Sequence, residues 1–151
     1  MSTKAFADDA GQSRAPASNP PADHVSLELP AQPEWWALAR ISASAIATRL
    51  DFGVDAVEDL RLAIDELCNS CAVGAGADSR LELDYRVDDE GLHVTCAVSP
   101  IGSVLVDDPA TNASLELSGR ILDALVDAHA IEEVKDRRRR GWLSMRRPGG
   151  T

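Results

Sequence analysis

Glu58–Ala72 reads EDLRLAIDELCNSCA, and a single period runs through it. With Val57 in front, Leu60, Ile64, Leu67, Cys68 and Cys71 recur at spacings of three and four, while Asp55, Glu58, Asp59, Arg61 and Asp65 fall largely on the other side. That is an amphipathic helix with one apolar stripe. Asp55 is placed to cap its start, and the pattern lasts to Val73, where Gly74 and Gly76 break it. Its last turns hold three possible chemistries. Cys68 and Cys71 form a C-x-x-C that could be a redox pair or half of a metal site, and Glu66 with Asn69 or Ser70 could be the carboxylate and polar partner of a nucleotide-binding helix.

The flanks say what this helix packs against. Upstream, Val25, Leu27 and Leu29 alternate with polar residues in a short strand stopped by Pro30. Glu34 to Leu50 reads as a helix with Trp35, Leu38, Ile41, Ala45 and Ile46 as its apolar stripe, closed by Phe52-Gly53. Downstream, Leu81, Leu83, Tyr85 and Val87 face Leu92, Val94, Cys96 and Val98 across an acidic turn ending in Gly91, the signature of an antiparallel hairpin with one apolar face. Pro100 to Asn112 reads as irregular. Ser114 to Ala128 returns to a helical period through Leu117, Ile121, Leu122 and Leu125. Ile131–Lys135 and Trp142–Arg146 form a second hairpin that turns through an arginine run.

Strands that all neighbour antiparallel partners, with helices enough to cover one face, make an α+β chain, a two-layer sandwich of a mainly antiparallel sheet covered on one face by helices. The folded unit is expected over residues 24–148. Residues 1–23, rich in Ala, Ser, Asp and Pro with Phe6 as the only large apolar side chain, are expected to be a disordered tail that cannot offset its ordering entropy.

Composition excludes several classes. No apolar run approaches the roughly 18 residues that span a bilayer, and the first residues lack the apolar core of a secretory signal. The expectation is a cytoplasmic protein with no membrane partner, whose three cysteines are reduced thiols. A formal net charge of -10 disfavours direct nucleic-acid binding, because phosphate neutralisation supplies most of such affinity. Lys135, Arg137, Arg138, Arg139, Arg140, Arg146 and Arg147 form a local exception, read as a solvated turn flanked by strand ends.

Redox C-x-x-C sites place the first thiol at a helix N-terminus, where the dipole lowers its pKa, whereas this pair lies near a C-terminus and on the apolar stripe. Small buried hydrophobes is the favoured role. Zinc would need two more ligands, and His93 and Cys96, the nearby candidates, point to opposite faces of their strand. Glu66 stands at the stripe's edge with Asn69 and Ser70 three and four residues onward. A carboxylate that orients a hydroxyl, beside an oxygen that can ligate Mg2+, suits phosphoryl transfer.

On those residues EDLRLAIDELCNSCA resembles the N-box helix of the GHKL ATPase superfamily, and more closely that of the bacterial anti-sigma regulatory factors that are also serine kinases. SGRILDALVDAHAI followed by GWLSMRR is similar to that group's glycine-bearing helix and final strands, so the resemblance runs from about Val25 to Arg147. It implies ATP and Mg2+ as cofactors and a serine on a STAS-domain anti-anti-sigma factor as acceptor. It also implies a sigma factor as the second partner and a possible homodimer. Glu66 matches the general base, and Asn69, Ser70, Gly102 and Gly119 fall on the nucleotide-binding segments.

The chain departs from the pattern in three places. The Mg2+-binding Asn belongs four residues after the Glu, where Ser70 stands, and Asn69 is displaced by about 100° around the axis. The adenine-binding D-x-G-x-G is replaced by Val98-Ser99-Pro100-Ile101-Gly102, which has no carboxylate, a loss of about 1–3 kcal/mol of binding. Pro109 to Leu117 holds no Gly to cradle phosphate. Two readings therefore stand: an active kinase and anti-sigma factor, or a protein-binding module that kept the fold and lost ATP.

Overall fold

The computed structural model describes residues 23–101, 109–134 and 138–149. The strand β1 (Asp23–Pro30) leads through a 3-10 turn (Pro33–Trp35) into α1 (Trp36–Arg49) and α2 (Val54–Ala72). β2 (Ala75–Val87) and β3 (Gly91–Ile101) follow, then α3 (Pro109–Leu125), β4 (Ala128–Val134) and β5 (Arg138–Arg146). The strands form one five-stranded sheet in the order β1-β2-β3-β5-β4, with every neighbouring pair antiparallel. The α+β two-layer architecture is therefore the one the sequence pattern implies. The expected tail lies outside the described residues except for Asp23, which already pairs with Val87.

Period-two patterning sets the register. Leu81, Leu83 and Tyr85 stand opposite Val98, Cys96 and Val94, and all six are buried on the helix-facing side. Leu143 on β5 opposite Val94 continues the layer. A slip of one residue would turn this whole set toward solvent, so the apolar alternation fixes the pairing.

Helix α2 closes the layer. Leu60, Ala63, Ile64, Leu67, Cys68 and Cys71 are completely buried, as the stripe required. Full burial of each large aliphatic side chain contributes roughly 1.5–3 kcal/mol. The N-cap is Gly53 and not Asp55, which lies inside the first turn, where a carboxylate still meets the positive end of the helix dipole. Gly74, at φ 79, makes the left-handed turn into β2.

The face assigned to α1 is corrected. Its buried residues are Trp36, Ala39, Ala43 and Ala47, whereas Trp35, Leu38 and Ile41 are exposed at 40%, 42% and 62%. The cause is distance. The Tyr85 hydroxyl, buried in the sheet layer, donates to the Ala39 carbonyl at 2.8 Å, and a helix backbone held that near admits only small side chains beyond its first turn, Ala39, Ala43 and Ala47, while Trp36 fills the space at its start. Burial also pushes the Tyr85 hydroxyl far above the ordinary tyrosine pKa, so it remains a donor.

Two boundaries differ as well. Helix α3 begins at Pro109, five residues before the expected start, and ends at Leu125, with Ala128 already in β4. Proline suits a first helical position because its missing N–H has no partner there anyway. One member of the arginine run is not solvated: Arg138 to Arg140 open β5, with Arg138 and Arg140 exposed, but Arg139 is only 2% exposed. Residues 135–137 lie outside the described set.

Gly141 marks the tightest packing on β5. A Cβ there would meet Ile131 Cδ1 at 2.5 Å, Leu67 Cδ1 at 2.8 Å and Cys71 Sγ at 3.1 Å. Gly141→Ala is expected to cost about 1–3 kcal/mol by overpacking, read as a lower urea midpoint with unchanged slope.

Candidate functional site

Helix α2 is tied on three sides around its exposed edge. From α1, Arg40 Nη1 donates to Asp65 Oδ1 at 2.6 Å and Trp36 Nε1 donates to Asn69 Oδ1 at 2.7 Å. From α3, Ser118 Oγ donates to Glu66 Oε2 at 2.8 Å. From β5, Arg139 Nη1 donates to the carbonyls of Val73 at 2.7 Å and Ser70 at 3.3 Å. The last four carbonyls of a helix have no partner within it, so the Arg139 cation both satisfies one of them and meets the negative end of the dipole. Sequence reasoning missed Ser118, Trp36 and Arg139 as members of this constellation.

The expected site residues separate in depth. Glu66 is half-buried at the border between α2 and α3, and Asn69 is exposed. Ser70 is 1% exposed, and its hydroxyl has no hydrogen-bond partner. A cleft of about 360 Å³ opens at Asn69, walled by Gln32, Trp36, Val73 and Gly76. Gly119 follows Ser118 in mid-helix, and a Cβ added there would meet nothing within 4 Å. Gly102 lies outside the described residues.

A nucleotide-bound magnesium ion would draw on this donor set. Mg2+ takes oxygen ligands and usually keeps several waters, so one or two protein oxygens suffice. The orphaned Ser70 hydroxyl, at the position four residues after Glu66, is a buried polar atom that a ligand would satisfy. The Asn69 amide oxygen has one lone pair engaged by Trp36 and a second available. Each residue offers the ion one oxygen, but neighbours on a helix point about 100° apart, so Ser70 Oγ and Asn69 Oδ1 stand as alternatives, Asn69 alone of the two lining the cleft.

The three thiols belong to the core. Cys68, Cys71 and Cys96 are free and buried, Cys71 Sγ donates to the Cys96 carbonyl at 3.6 Å, and burial pushes the Cys96 thiol well above its ordinary pKa. Thiolate is the reactive form, and each neighbouring thiol opposes forming it here. His93 lies apart from them, its Nε2 3.1 Å from Asp88 Oδ2. Among the described residues, the group of possible metal ligands is Asp88, Glu90 and His93, with no cysteine in it.

Two outcomes follow. The native protein should leave all three thiols unreactive toward Ellman's reagent at pH 8 and release them only on unfolding. Gly119→Ala should stabilise the free protein by roughly 0.5–1 kcal/mol, because the helix gains propensity and nothing is displaced, as read by thermal or urea unfolding.

No family model matches the chain. The serine-protein kinase RsbW of Bacillus velezensis is 32% identical to it over 117 residues, 76% of this chain and 67% of that protein. The protein of the same name from Bacillus subtilis is 29% identical over 118 residues, 76% and 68% of the two chains. The one from Listeria innocua is 37% identical over 75 residues, and the match spans 48% of each chain, so only about half the length of the Listeria relatives is matched.

Proposed function

Because the chain belongs to the family of the RsbW serine-protein kinases, we propose that it is an ATP-dependent serine kinase and anti-sigma regulator, with Glu66 as the base of the transfer. One observation carries this reading. The Glu66 carboxylate accepts a serine hydroxyl at 2.8 Å, the geometry a base needs toward the oxygen it activates.

In this reading an acceptor serine, supplied by a STAS-domain partner, places its hydroxyl at Glu66. Glu66 takes the proton as the oxygen bonds to the γ-phosphorus and the bond to the β–γ bridging oxygen breaks. Arg40 on Asp65, Trp36 on Asn69 and Arg139 on the helix end hold α2 against rotation. That rigidity keeps the carboxylate aimed, which matters because phosphoryl transfer is mostly positioning and electrostatics. Asn69 Oδ1 or Ser70 Oγ would hold Mg2+, which when bound neutralises charge on the transferring phosphates.

The sigma-factor role draws on a different surface. Trp35 at the end of the 3-10 turn, with Leu38 and Ile41 on α1, leaves apolar surface exposed at the start of the helix. Contiguous exposed apolar residues of this kind mark protein contacts. The net charge of -10 suits capture of a basic face on a sigma factor. The proposed location of such an exchange is the cytoplasm. No helix among the described residues is long and apolar enough to cross a membrane.

A second reading, a protein-binding module that no longer uses ATP, is favoured by the Trp36 bond to Asn69 and by the missing carboxylate in Val98–Gly102. Isothermal titration with MgATP separates the two. The kinase reading expects micromolar binding that Glu66→Gln preserves while cutting phosphate transfer to a STAS partner by about 10²-fold or more. A flat titration to millimolar ATP, with an intact sigma complex, supports the module instead. The sigma complex itself should weaken as salt rises, since its attraction is carried by charge.

A further inference from the structure

The serine that meets Glu66 is the chain's own. Ser118 lies 52 residues away in sequence, on α3, which packs on α2, one turn before the fully buried Leu122. Its hydroxyl is partly buried and points its proton at Glu66 Oε2. An oxygen nucleophile within hydrogen-bond reach of a carboxylate base is the arrangement that activates a serine for attack. The deep position four residues after Glu66 carries the orphaned Ser70 hydroxyl, on the same helix. Hydroxyl, base and candidate metal-side oxygen thus stand within one stretch of α2 and the helix packed on it.

We propose that Ser118 is a phosphorylation site that the chain modifies itself, an inference that rests on the reading of Glu66 as base. The phosphoryl donor is a magnesium nucleoside triphosphate. The Ser118 proton passes to the Glu66 carboxylate, the Oγ–phosphorus bond forms, and the bond from the γ-phosphorus to the bridging oxygen breaks. Nucleoside diphosphate is the leaving group. The product places a charge of about −1.5 to −2 against the Glu66 carboxylate, so the bond that joined α3 to α2 becomes a repulsion. Each molecule is therefore modified once, and α3 loosens from α2 at that point.

The test uses the full chain with MgATP and no partner protein. Intact mass and peptide mapping should find one phosphate on the peptide holding Ser118. The phosphate should be absent in Ser118→Ala and slowed by about 10²-fold or more in Glu66→Gln. Titration with a non-hydrolysable triphosphate runs in parallel on all three proteins, so that loss of binding is told apart from loss of transfer. Hydrogen exchange needs no nucleotide: Ser118→Asp should speed exchange across α3 relative to Ser118→Asn, because only the former adds charge beside Glu66. Triphosphate binding without phosphate on Ser118, or phosphate retained by Ser118→Ala, overturns this inference and leaves the kinase reading in place. Absence of triphosphate binding overturns both. Equal exchange in the Asp and Asn variants overturns the loosening of α3.

Discussion

Everything in this structure is hung on α2. A helix whose stripe is completely buried cannot rotate without exposing Leu60, Ile64 and Leu67, so its opposite edge is fixed in direction. Glu66 and Asn69 occupy that edge. Their aim is a consequence of the core and not of any local feature. The polar ties then refine what burial sets: α1 grips the edge at Asp65 and Asn69, α3 at Glu66, and β5 closes the helix end through Arg139.

Arg139 shows how costly that closure is to undo. A buried guanidinium is tolerated only where carbonyls or carboxylates meet it, and two carbonyls at the C-terminal end of α2 do so. In return the turn from α2 into β2 is held at a fixed place, which shapes the wall of the cleft at Val73 and Gly76. A single buried cation thus links the strand at the far side of the sheet centre to the mouth of the candidate site.

The fold was legible wherever a pattern is local. Alternation in Leu81–Val87 and Leu92–Val98, and the three-four spacing of α2, need only neighbouring residues to be read, and both matched the register and burial found. The α1 face was misread because periodicity selects the larger apolar stripe, while packing selected the smaller one to let the helix lie near Tyr85. Arg139 was misread because charge alone suggests solvent, and its carbonyl partners lie 66 and 69 residues away. For the candidate site, Glu66 and Asn69 were visible through their spacing and family resemblance. Ser118 and Trp36 carry no local signal, since their relation to α2 exists only once distant segments are brought together.

The arrangement of the tryptophans gives the molecule a built-in optical label. Trp36 is 3% exposed with its indole N–H bonded to Asn69 in the wall of the cleft, whereas Trp35 and Trp142 are 40% and 38% exposed. Its emission should therefore be blue and shielded from soluble quenchers, and that of the other two red and quenchable. A molecule entering beside Asn69 alters the first signal, and a protein settling on α1 alters Trp35. The two kinds of encounter are in that way spectrally separable in the unmodified chain.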